Sequence, residues 1–99
     1  MREEEFRKYL GNIESINSKD KAVNSRISRA NIAEDILNES LDYVVSDDDR
    51  MYEALKTISK DLKERNGCIQ NAVRWYYKFI NNKEFPKLVT YNRNKNRTI

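Results

Sequence analysis

The sequence has no histidine, one cysteine, one proline, one tryptophan and only two glycines. Without histidine, the commonest general base and the commonest metal ligand are both missing. A lone cysteine, Cys68, leaves no partner for an internal disulfide and rules out a cysteine metal cluster. Gly11 and Gly67 are too few for a glycine-rich phosphate loop. No apolar run approaches the ~20 residues that cross a bilayer, and the charged start MREEEFRK is unlike a signal peptide. These absences lead us to expect a reducing, aqueous compartment, most simply the cytoplasm, and no membrane contact.

What is present suits one helical domain. Apolar residues make up 38% of the 99 residues and charged residues 35%, enough for a single modest core. Asn, Lys and Ile are frequent, as in AT-rich genomes such as those of low-GC bacteria and their phages. The net charge is only +3, but it is unevenly spread. Residues 31–49 carry seven acids and no base, whereas residues 66–99 carry seven bases and one acid. Such a lopsided field orients a polyanion even on a weakly basic protein.

Apolar spacing predicts four helices. The first covers residues 3–16, with Phe6, Leu10 and Ile13 on one face and Glu3, Glu4 and Glu5 favourably placed at the positive end of its dipole. A polar break, SINSKD, follows, with Ser18 or Asp20 as N-cap of a second helix over 21–39. On that helix Val23, Ile27, Ala30, Ala33 and Leu37 share a stripe, and Ile32 and Ile36 lie off it, which suggests a central helix. The segment LDYVV (41–45) fits either a helical turn or extended chain. Ser46-Asp47-Asp48-Asp49 is a strong start signal for the third helix, which carries Met51, Leu55, Ile58 and Leu62 and stops at Asn66-Gly67. The fourth covers 68–82 with Ile69, Val73, Tyr76 and Ile80, widened by Ala72 and Phe79. Phe85-Pro86 closes the regular structure. The expectation is an all-α, compact orthogonal four-helix bundle over residues 1–86 and a basic C-terminal tail over 87–99.

No catalytic constellation is recognisable. Cys68 has no histidine to activate it and reads as a small core residue. Three consecutive aspartates lack the alternating ligand pattern of a calcium loop, and a helix start accounts for them. The expectation is a binding protein with no enzyme activity, cofactor or metal.

Read as one pattern, the chain resembles the N-terminal SAM-like, core-binding domain of phage integrases and other tyrosine recombinases. The resemblance covers residues 3–87. It rests on Phe6-Arg7-Lys8-Tyr9-Leu10, on the break Ser18-Lys19-Asp20-Lys21, and on Val23-Asn24-Ser25-Arg26-Ile27. It continues through Asn71-Ala72-Val73-Arg74-Trp75-Tyr76-Tyr77-Lys78-Phe79-Ile80 to Phe85-Pro86, similar to the family's aromatic run closing near a proline. The family's downstream catalytic domain is missing here, so the resemblance implies DNA binding without strand cleavage.

In that family the start of the second helix and the exposed face of the last clamp duplex DNA. The resemblance therefore implies phosphate contacts by Lys19, Lys21 and Asn24, then by Asn71, Arg74, Lys78 and Asn82. Contacts of this kind are salt-sensitive and largely indifferent to sequence. Lys87, Arg93, Lys95 and Arg97 would follow the backbone as a flexible arm. Arg26 and Arg29 either meet phosphates or pair with Glu34, Asp35 or neighbouring acids. Exposed cations are equally often a solvated face, and Trp75 and Tyr77 serve either packing, a contact surface or homo-oligomer formation. The other function class is a small phage or mobile-element protein that inhibits a host nucleic-acid-processing or defence protein in an anti-CRISPR-like way. Its acidic segment 34–49 (Glu34, Asp35, Glu39, Asp42, Asp47, Asp48 and Asp49) would then imitate nucleic acid by charge.

Overall fold

The computed structural model describes residues 1–13 and 19–96, and these residues form helices and loops without strands. Helix α1 (Glu3–Gly11) opens on Glu3, Glu4 and Glu5 and buries Phe6 and Leu10. It ends at Gly11, short of the expected residue 16, and the expected cap Ser18 lies outside the described residues. Helix α2 (Lys19–Leu37) turns Val23, Ile27, Ala30 and Ala33 into the core. It ends where Asn38 takes the left-handed conformation at φ 54°, a role for which asparagine is second only to glycine.

The ambiguous segment LDYVV is helical. It forms α3 (Leu41–Val45), capped by the Ser40 side chain on the Asp42 N–H, and Leu41, Val44 and Val45 are all buried. The Glu34 carboxylate also accepts from the Leu41 N–H at 2.8 Å. Helix α4 (Asp48–Ser59) begins as its acids predict: Asp47 is the N-cap and accepts from the N–H groups of Asp49 and Arg50 at 2.8 and 3.2 Å. It buries Met51, Ala54, Leu55 and Ile58.

Helix α4 stops before the expected Asn66-Gly67, and Leu62, assigned above to its apolar stripe, is 97% exposed. Local side chains divert the backbone. The Asp61 carboxylate takes the Lys63 N–H at 2.8 Å, the competing turn that aspartate offers. Glu64 then reaches forward to the N–H groups of Ile69 and Gln70, both at 2.9 Å. These donors open α5 (Cys68–Asn81), whose N-cap Gly67 has no side chain to satisfy them. Asn82, with φ 58°, closes α5.

Helices α2 and α5 are the two central elements, and each packs against the other and against α1, α3 and α4. Their shared interior is aromatic. Phe6 meets Tyr76 edge-on at 5.0 Å and Phe79 at 5.6 Å, and Tyr9 meets Phe79 at 5.2 Å. The radius of gyration, 13.4 Å, is close to the ~13 Å expected for a folded chain of this length.

The segment expected as a tail forms a sixth helix, α6 (Leu88–Asn96). Leu88 and Tyr91, three residues apart, face inward together and are half-buried. Tyr91 lies 5.2 Å from both Tyr52 and Phe85, and its hydroxyl donates to Asp49 at 2.5 Å. Buried Phe85 supplies the apolar foothold that the sequence reading left out. Among the described residues no helix is long and apolar enough to cross a membrane.

Candidate nucleic-acid interface

Helix α5 buries Ile69, Ala72, Val73, Tyr76 and Tyr77, which leaves Asn71, Arg74, Trp75 and Lys78 on its outer side and flanks. Between that side and the loop leading to α6 lies a hollow of about 350 Å³, lined by Asn71, Arg74, Trp75, Lys78, Glu84, Phe85 and Lys87. Four residues anticipated as DNA contacts thus share one depression. A second hollow on α2 gathers three more, Lys21, Asn24 and Arg29, beside Ser25, Ser28 and Ile32.

Arg26, on α2, approaches the Trp75 ring of the first hollow. Its guanidinium carbon is 5.9 Å from the centre of the Trp75 ring, and the Lys78 ammonium is 5.4 Å from it. Arg29 follows Arg26 by three residues on α2, so the two side chains lie on one side of the helix. Arg26 is half-buried; its Nη1 donates to the Ala22 carbonyl at 3.2 Å, and its buried Nε has no acceptor among the described residues. The expected pairing of Arg26 and Arg29 with Glu34 or Asp35 does not occur. Among the described residues the ion pairs join the Met1 amine to Glu34 and Asp42, Arg2 to Asp42, Arg7 to Glu3, and Lys78 to Glu84. Lys21, Arg26, Arg29, Arg74 and Lys87 pair with no acid there.

Four anticipated contacts have internal partners or roles. Arg74 donates to the carbonyls of Phe85 and Pro86 at 2.9 and 3.2 Å and lies over the Phe85 ring, so it staples the loop that carries α6. Burial holds its pKa below that of an ordinary arginine. Asn82 is the α5 cap. Lys78 lies 3.4 Å from Glu84, which is 81% exposed; a pair so open to water is worth less than ~1 kcal/mol and exchanges readily. Asn24 accepts from Arg7. Lys19, Arg93 and Lys95 fall on helices but their side chains lie outside the described residues, as does Arg97 altogether.

The acidic segment is largely internal in its contacts. Asp42 accepts from the Tyr76 hydroxyl, Asp48 from the Tyr77 hydroxyl at 2.8 Å, and Asp49 from the Tyr91 hydroxyl. Asp47 caps α4 and Glu34 holds the start of α3; Asp35 and Glu39 are exposed. The three tyrosines respond in kind. Burial raises the pKa of Tyr76, with Asp42 adding to the shift, and raises Tyr77 to about 12 with help from Asp48. For Tyr91 the hydrogen bond to Asp49 is the main cause of the rise. Tyr77 is only 1% exposed, so the expectation that it contributes to an oligomer surface does not hold.

The sequence offers Arg26 as a phosphate contact or an ion-pair partner but carries no signal for its contact with Trp75, which arises where α2 meets α5. Comparison with protein-family models, curated proteins and solved structures gives no match.

Proposed function

We propose that this protein is a non-catalytic nucleic-acid-binding module that grips the phosphate backbone of duplex DNA with the α2–α5 face. The proposal keeps the resemblance to the integrase core-binding domain as its frame and carries it by one observation. Lys87 lines the α5 hollow beside the weakly held Lys78, and Lys21 and Arg29 line the α2 hollow, the three of them without an ion pair among the described residues. Cations that share a hollow repel one another, and a polyanion relieves the repulsion while releasing its own counterions. Arg74 belongs to the scaffold of the face in this reading. Asn71, exposed in the same hollow, adds hydrogen bonds to phosphate or base edges. The module would act in the cytoplasm, where nucleic acid is at hand.

The test is a filter-binding series with random-sequence duplex from low to moderate salt. Each phosphate neutralised contributes about −0.9 to the slope of log K against log salt. The triple substitution Lys21→Ala, Lys78→Ala and Lys87→Ala is therefore expected to flatten the slope by about 2.7 and to weaken binding at least tenfold. Absence of binding to duplex at low salt removes the proposal.

The second reading, inhibition of a host nucleic-acid-binding protein by charge mimicry, has one observation in its favour. The groove between α2 and α4 joins Glu39 and Glu53 to Tyr43, which is 48% exposed. A partner captured by the wild-type chain and lost on neutralising Glu39 and Glu53, with no DNA binding, would decide for it.

A further inference from the structure

We infer that the hollow beside Trp75 takes an unpaired nucleobase, so that the face prefers single-stranded nucleic acid, or strands with an unpaired end, over a closed duplex. The inference rests on the nucleic-acid reading above and adds the class of nucleic acid and the residue that selects it.

The ten aromatic side chains divide sharply in what they touch. Eight of them, Phe6, Tyr9, Tyr52, Tyr76, Tyr77, Phe79, Phe85 and Tyr91, meet another ring at 5.0 to 5.6 Å. Trp75 and Tyr43 meet none among the described residues, and each is approached by cations instead. At Tyr43 the Arg50 guanidinium sits at 4.0 Å, in a groove that also contains Glu39, Asp49 and Glu53. That setting repels a polyanion. Trp75 has the opposite setting. Its cations stand further off, at 5.4 and 5.9 Å, and Arg74, Lys78 and Lys87 line the same hollow against a single acid, Glu84.

Trp75 is half-buried rather than sealed in the core, and its indole N–H has no acceptor among the described residues. Tryptophan rings with a partly exposed body and an open donor are disposed to recognition. The hollow, about 350 Å³, falls at the lower end of sizes that hold small organic groups. A stacked base is worth ~1–3 kcal/mol in single-strand binding and needs no particular sequence. A duplex keeps its base faces closed and presents only phosphates to this hollow. An unpaired base can enter it. Lys78, on a flexible stem and held only by the exposed Glu84, can then leave the ring for the adjoining phosphate.

Because Trp75 is the only tryptophan, its emission reports occupancy of the hollow directly. The experiment titrates the full chain with a single-stranded oligothymidine, a blunt duplex of equal phosphate number, and inorganic polyphosphate. The expected result is quenching by oligothymidine alone, with the single strand bound more tightly than the duplex. In anisotropy titrations with labelled oligothymidine, Trp75→Leu is expected to weaken binding about 5- to 150-fold, the factor one stacked base supplies. Trp75→Phe, which keeps a ring and is less disruptive to packing, is expected to retain most of the affinity. Equal binding of duplex and single strand without quenching, or equal quenching by polyphosphate, overturns the inference while leaving backbone binding standing. No binding to any of the three polyanions overturns both.

Discussion

The cationic α2–α5 face and the acidic α3–α4 edge carry opposite charge, and they differ more deeply in how that charge is held. On the acidic edge five of the seven carboxylates of residues 34–49 are hydrogen-bond acceptors for the fold: Asp47 caps α4, Glu34 starts α3, and Asp42, Asp48 and Asp49 receive tyrosine hydroxyls from α5 and α6. On the cationic face Lys21, Arg26, Arg29 and Lys87 pair with no acid among the described residues. Charge that stabilises the native state is satisfied inside the molecule. Charge left without an internal partner faces solvent and stays available to counterions or to a ligand. Composition alone, which shows two blocks of opposite sign, does not tell charge held by the fold from charge left to solvent.

The contrast can be broken most forcefully at Tyr76, where core and acidic edge meet. Tyr76→Ala removes the ring that packs on Phe6 and Phe79 and the hydroxyl that serves Asp42, and is expected to cost about 3–5 kcal/mol in chemical denaturation. Next comes Asp42→Ala, which leaves the buried Tyr76 hydroxyl without its acceptor. It should cost about 1–2 kcal/mol and leave duplex affinity intact or stronger. Lys87→Ala should do the reverse, weakening duplex binding severalfold while holding stability within ~0.5 kcal/mol. Equal effects of both on stability and binding would erase the distinction between the regions. Asp47→Ala, the loss of a helix cap, should lower stability by about 1 kcal/mol.

The tyrosine hydroxyls give the acidic edge a pH signature. A tyrosine whose pKa is raised in the folded chain keeps its proton where the unfolded chain loses it. Its stabilisation is whole below the ordinary value of 10.0 and is lost as pH climbs from there toward the folded value, about 12 for Tyr77. Melting temperatures should therefore fall above pH 10.0, and Tyr77→Phe should make that fall shallower. The smallest expected effect sharpens the cationic side. Glu84→Gln removes the one acid from the Trp75 hollow, and should tighten polyanion binding two- to threefold, roughly the effect of one exposed charge, with under ~0.5 kcal/mol change in stability.

Helical class was legible because periodic apolar spacing and end signals are local. Phe6 and Leu10, Met51 and Leu55, and Ile69, Val73 and Tyr76 are each buried as their spacing implies, and Asp47 caps the helix it announces. What reads poorly is decided by contacts distant in the chain. Leu62 matches the α4 stripe, but Asp61 and Glu64 turn the backbone toward α5 and leave it in water. Residues 88–96 carry a weak helical pattern of their own, and they form α6 where Tyr91 finds Phe85, Tyr52 and Asp49. Arg26 meets Trp75 only because α2 lies against α5 there. The sequence by itself therefore determined α1, α2, α4 and α5 and the sign of charge along the chain, since backbone hydrogen bonding and hydrophobic periodicity act over a few residues. Tertiary structure alone decided which charges are satisfied, because the partner of a donor or an acceptor is defined by what folding brings beside it.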